Sequence, residues 1–257
     1  MKKTIVLATV LALVLTIFQG CGKFAGIDGN HNVEKEIRKL VSFKGVINEG
    51  SFNIFISNDS VSEVTVEAES NIIPFIRTVV NDNKLIIDTK KGSNINVHYP
   101  VNVYVKSPLV KYVAMEGSGN MMFDSLTCKA FIAKMGGSGN IGGKVIADNV
   151  FAGIKGSGNI SLVTNCTEIV TRIDGSGNIG LRGSSDTANH EIRGSGSLNA
   201  FEFINRNCKS AISGSGDMNL NVTAKLDVNI SGSGHVYYTG NPQINVVIKG
   251  SGSVIKH

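Results

Sequence analysis

From Gly117 onward the chain repeats one pattern of hydrophobic and polar positions eight times. Each copy carries Gly-Ser-Gly, beginning at Gly117, Gly137, Gly156, Gly175, Gly194, Gly214, Gly232 and Gly250, with steps of 20, 19, 19, 19, 20, 18 and 18 residues. Two residues before the first Gly stand Met115, Met135, Ile154, Ile173, Ile192, Ile212, Ile230 and Ile248. Four residues after it stand Met121, Ile141, Ile160, Ile179, Leu198, Met218, Val236 and Val254. Between the aliphatic column and the corner the residue is mostly polar: Glu116, Lys155, Asp174, Arg193, Ser213, Ser231 and Lys249, with Gly136 the exception.

Alternation on both sides of the glycines is the period-2 signature of strands, and no 3.6-residue period competes with it. Each repeat therefore reads as strand, glycine corner, strand and a variable return. A fixed period of this size marks a stacked architecture in which each unit covers its neighbours. The pattern predicts an all-β fold, a right-handed parallel β-helix over residues 111–257 with about 19 residues per turn. Seven steps at the strand spacing make a rod roughly 34 Å long.

Residues 39–110 lack the glycine period but also alternate. Ser51–Ile56 and Val61–Glu67 place Phe52, Ile54, Ile56, Val64 and Val66 on one face, with turn residues Asn58 and Asp59 between them. Lys84–Asp88 and Val97–Val105 read as further strands, and Asn71–Val80, broken by Pro74, as a short helical turn or loop crossing. This region forms either irregular opening turns of the solenoid or a small β cap, since an uncovered solenoid end templates aggregation.

At the start, Met1-Lys2-Lys3 and the apolar run Thr4–Phe18 read as a signal peptide over residues 1–20, too short to span a bilayer well. Gln19-Gly20-Cys21 resembles the lipobox of bacterial lipoproteins, although Phe18 and Gln19 depart from its usual residues. That resemblance implies that Cys21 receives the lipid and that the chain is anchored to a membrane. Residues 21–38 read as a flexible tether. Without the signal, 23 basic side chains face 20 acidic ones, a balance that gives no footprint for nucleic acid.

Phe43-Lys44-Gly45-Val46, Tyr99-Pro100-Val101-Asn102-Val103-Tyr104-Val105, Ser107-Pro108-Leu109 and the repeated Gly-Ser-Gly-Asn-Ile together resemble the head GIN domain family, over about residues 39–255. The resemblance implies a secreted or lipid-anchored bacterial β-helix protein, of a kind found in gut Bacteroidetes, at the outer membrane and facing either the periplasm or the surface. It also implies a role in adhesion, with a glycan or surface protein as ligand. The tripeptides at Asp59, Asp124 and Asp186 resemble the short O-glycosylation motif of such bacteria.

Candidate chemistry adds little. Residues 137–142 and 175–180 satisfy G-x-G-x-x-G, but strands follow where a dinucleotide site needs a helix N-terminus, so no cofactor is expected. Cys128, Cys166 and Cys208 read as buried small residues, Cys128 and Cys166 being too far apart along the rod for a disulfide. Neither Cys-x-x-Cys nor paired-His spacing indicates a metal site. His31, His98, His190, His235 and His257 read as scattered surface residues. Asn120, Asn140, Asn159 and Asn178, which follow four of the corners, form either a structural amide ladder or a glycan-binding stripe. A glycan-cleaving enzyme is the alternative to a non-enzymatic adhesin, but no convergent carboxylate pair beside an aromatic platform is visible, so no catalytic residue is assigned. Val254 and Ile255 leave an open strand edge, through which two copies are expected to associate.

Overall fold

The computed structural model describes residues 26–257; the signal peptide and Cys21 lie outside them. The fold is an all-β solenoid of about eight turns with about 19 residues per turn. Neighbouring turns pair in parallel, residue on equivalent residue, as from Asn159 on Asn178 through to Gly175 on Gly194. Because each residue rests on its counterpart, a residue type suited to the core recurs as a column. Met115, Met135, Ile154, Ile173, Ile192, Ile212 and Ile230 are all buried, as are Met121, Ile141, Ile160, Ile179, Leu198, Met218 and Val236. The last members differ: Ile248 is 39% exposed and Val254 only half-buried, because the strands Gln243–Gly250 and Ser253–Lys256 pair with one preceding turn alone.

The corners need glycine for lack of space as much as for conformation. A Cβ on Gly194 would lie 2.5 Å from the Gly175 carbonyl oxygen below it, at a φ of 128° that L side chains rarely adopt. That carbonyl accepts the backbone N–H groups of Ser195 and Gly196 at 3.0 and 3.1 Å, and the bonding repeats at later corners. The corner backbones are thus stitched together where side chains cannot enter.

In the first half the structure resolves the two alternatives by combining them. Gly45–Asn48 and Asn53–Asn58 form a turn directly beneath Tyr112–Met115 and Asn120–Thr127. Lys84–Thr89 and Asn102–Ser107 form a further layer beneath that one, although they follow it in sequence. Antiparallel strands Ile76–Asn81 and Glu63–Glu69 then line the edges of this layer. Asn71–Val80 is accordingly a 3-10 turn at Ile73–Phe75 followed by a strand, and the strand expected from Val97 begins only at Asn102, beyond Pro100.

Three further expectations are corrected. The tether does not extend to residue 38, because Val33–Lys39 is a strand paired antiparallel with Glu63–Glu69. Its sequence VEKEIRK hides this, since the strand lies at the outer edge of the cap and is exposed along nearly all its length. Arg38 secures it by donating to the Ile76 and Ile73 carbonyls at 2.7 and 3.2 Å, capping the 3-10 turn. His190 is not a surface residue but fully buried, in the inward column between Thr171 and Ser210. Of the cysteines, Cys208 is buried and Cys128 and Cys166 are half-buried; all three are free thiols. Burial pushes the Cys166 and Cys208 thiols up to about 11 and about 12, well away from nucleophilic use.

Candidate functional site

Asn120, Asn140, Asn159 and Asn178 stand exposed in one column on the outer face of the sheet that follows the corners. Each side-chain N–H donates to the amide oxygen one turn nearer the N-terminal cap: Asn178 to Asn159 at 3.0 Å, Asn159 to Asn140 at 3.0 Å, and Asn140 to Asn120 at 2.8 Å. The column continues into the first half, from Asn120 to Asn53 at 3.0 Å, Asn53 to Asn102 at 3.2 Å, and Asn102 to the Glu67 carboxylate at 3.0 Å. Glu67 is closed off by Lys35, whose Nζ lies 2.8 Å from its other oxygen. Lys35 foremost, then Asn102, holds the Glu67 carboxyl below the usual carboxylate range. An anion therefore terminates a chain of amides whose N–H groups all point toward it.

The sequence could not show Asn53, Asn102 or Glu67 as members, because their strands reach the column out of chain order. Each amide from Asn102 to Asn159 spends one of its two N–H groups and one oxygen lone pair, and Asn178 at the far end only an N–H, leaving the others for an outside partner in a fixed orientation.

Two residues further along the same strands, on the same face, lies a second row. It runs Ile37, Thr65, Tyr104, Phe55 and Met122 across five adjacent strands. Ile37, Phe55 and Met122 are 64%, 39% and 46% exposed. The Phe55 and Tyr104 rings stack 5.3 Å apart at 20°, and Lys35 Nζ stands 5.6 Å above Tyr104. Lys35, Thr65, Tyr104, Phe55 and Met122, with Lys106 and Asp124, line a shallow depression of about 620 Å³. The row ends beyond Met122 at Gly142, where the outward side chains become small. An apolar strip rimmed by oriented amides and charges is the mark of a binding surface.

The sheet that precedes the corners holds a second depression of about 530 Å³, between Tyr112 and Phe151, with Glu116, Lys134, Lys155, Arg172 and Asp174 around it. Gly136 and Gly153 give it depth. Its two outward acids in one column, Glu116 and Asp174, are three turns apart, roughly 14 Å at the strand spacing, which is wider than paired glycosidase carboxylates. Asp174 is also engaged by Arg172 Nε at 2.9 Å.

The family model described as "Putative auto-transporter adhesin, head GIN domain" matches residues 42–242. The chain belongs to the head GIN domain family. This head GIN domain superposes on a solved structure from Parabacteroides distasonis described as a "Putative lipid binding protein", with 28% identity, a TM-score of 0.84, and 90% of this chain and 99% of that chain covered. A "putative adhesin" from Parabacteroides merdae gives 20% identity, a TM-score of 0.86, and coverage of 90% and 99%, a likeness of fold alone. No curated protein matches. The description of the family supports an adhesin-like role at the cell surface or envelope. Among the described residues no helix is long and apolar enough to cross a membrane.

Proposed function

We propose that this chain is a non-enzymatic adhesin of the cell envelope, held to the membrane by a lipid on Cys21, that binds glycans across the aromatic row and the asparagine column. The observation that carries the proposal is the placement of the stacked Phe55 and Tyr104 rings beside Asn53 and Asn102 on one exposed face. Sugar rings present flat C–H faces and rims of hydroxyls. The aromatic pair offers a platform for the faces, and the pre-oriented amides offer donors and acceptors to the rim. The lipid ligand named for the Parabacteroides distasonis relative raises an acyl chain as occupant of the same row. Flat stacked rings bordered by hydrogen-bonding amides suit a pyranose better than a hydrocarbon chain, which gains nothing from the amides.

The test is a glycan array with the mature chain and a Phe55→Ala/Tyr104→Ala variant. Both side chains are partly exposed, so the variant retains the core. Loss of two stacking contacts should weaken glycan binding roughly tenfold. Equal binding by the variant, or release of new reducing ends from any bound polysaccharide, would overturn the proposal. Anchorage is checked separately: Cys21→Ser should move the protein from the membrane fraction to the soluble fraction of the native host, and a variant that stays with the membrane would exclude the lipid.

A further inference from the structure

His31 and His98 are 67 positions apart in sequence, yet the structure stacks their rings with centroids 4.0 Å apart, at 22°. Beneath them is Glu69, a carboxylate only 1% exposed at the end of the strand Glu63–Glu69. One of its oxygens accepts the backbone N–H of His31 at 2.7 Å and the other that of His98 at 2.9 Å. The chain entering His31 lies so close over Glu69 that a Cβ on Gly29 would stand 2.0 Å from its carboxylate oxygen. His31 itself sits at a φ of 60°, in the left-handed region that few non-glycine residues adopt.

The result is two imidazoles and a buried carboxylate with one ligand atom from each all lying within 4.8 Å of one another. Two backbone N–H donors favour the ionised carboxylate, and each of its oxygens keeps a further lone pair. Zinc takes nitrogen and carboxylate ligands at about 2.0–2.2 Å, so its donors sit roughly 3.5 Å from one another. The present separations, all within 4.8 Å, are wider than this and narrow as the exposed imidazoles turn toward the carboxylate. Both histidines are exposed, and nothing packed in the core has to move.

We propose that His31, Glu69 and His98 form a site for a divalent transition metal, zinc by its donor set of two imidazoles and one carboxylate, with water completing the tetrahedron. The carboxylate supplies the charge complement and its two backbone bonds fix both histidine-bearing segments at the site, as outer hydrogen bonds do around metal ligands. The metal clips the segment before the strand Val33–Lys39 to the loop before Asn102–Ser107, cross-linking the chain that leads toward Cys21 to the capped end of the rod.

The experiment is isothermal titration of zinc chloride into the metal-stripped mature chain, paired with thermal unfolding with and without zinc. The expected result is one zinc per chain and a higher unfolding temperature on binding, with affinity roughly tenfold or more weaker in His31→Ala and in His98→Ala. Because both side chains are exposed, these variants should keep the wild-type unfolding temperature in the absence of metal. The proposal is overturned if the wild type takes up no zinc, or if the double variant binds as tightly as the wild type. Binding that survives the double variant but disappears on thiol alkylation would assign the metal to the cysteines instead, and so would also overturn it.

Discussion

Replacing Ile173 with aspartate is expected to unfold the rod. Ile173 is fully buried, rests between Ile154 and Ile192 of the adjoining turns, and packs its Cγ2 against the corner at Gly196. An aspartate there forfeits the packing of an isoleucine, a loss of about 2–5 kcal/mol for truncation alone. It also places a carboxylate between the buried aliphatic side chains of Ile154 and Ile192, which adds several kcal/mol more unless the group is protonated. The total approaches the roughly 5–15 kcal/mol by which whole domains are stable. Circular dichroism and urea denaturation measure it, with Ile173→Val as the control that should cost only about 1 kcal/mol. A soluble aspartate variant with a cooperative transition near that of the wild type would show that this column does not face the core.

The second large effect is a loss of stability in mild acid, traced to His190. Its Nδ1 lies 2.8 Å from Thr171 Oγ1, while its Nε2 has no hydrogen-bond partner among the described residues. Burial pushes its pKa down to about 4 from an ordinary value of 6.5. The neighbours in its column, Thr171 and Ser210, are uncharged and cannot offset the burial. Above pH 6.5 the ring is neutral in both folded and unfolded chains and contributes no slope. As the pH falls from 6.5 toward 4 the unfolded chain takes up a proton that the fold refuses, so stability declines across that window and levels off below it. The drop amounts to roughly 3 kcal/mol. Urea midpoints at pH 7 and pH 4.5 should show it in the wild type, and Thr171→Val/His190→Leu should remove it. Identical pH dependence in the two proteins would mean that His190 titrates in the folded state as it does in the unfolded one.

The contrast between Ile173 and His190 shows what the sequence disclosed. Ile173 was legible because its position relative to the corner recurs as an aliphatic in every turn, and parallel stacking converts such recurrence into burial. His190 occupies an equally inward position, four residues before its corner, whose other members are Val113, Ala133, Ala152, Thr171, Ser210, Val228 and Val246. Judged by residue type it resembled a surface histidine; judged by its column it belonged in the core. The capped end was less legible for a topological reason. Its layers are assembled from Gly45–Asn48, Asn53–Asn58, Lys84–Thr89 and Asn102–Ser107 in an order different from that of the chain, so no interval in the sequence links Asn53 or Asn102 to Asn120. The stacked Phe55 and Tyr104 rings and the His31 and His98 pair were hidden by the same rearrangement. The Val33–Lys39 strand was hidden by its exposure, since a strand wet on both faces carries no apolar alternation.

The unbroken register of the glycine corners bears on how such a molecule can vary in length. Where Asn159–Gly175 lies residue for residue on Asn178–Gly194, every contact made by one repeat is a contact that its neighbour could make in its place. Deleting or duplicating a whole repeat therefore re-creates the interface it interrupts, whereas a single extra residue has to be absorbed in a local bulge, as between Gly180 and Gly183, for the inward columns to stay in register. Length is available to this architecture in increments of one strand spacing, about 4.8 Å, so gain or loss of whole repeats lengthens or shortens the rod while leaving the capped end and its binding face unaltered.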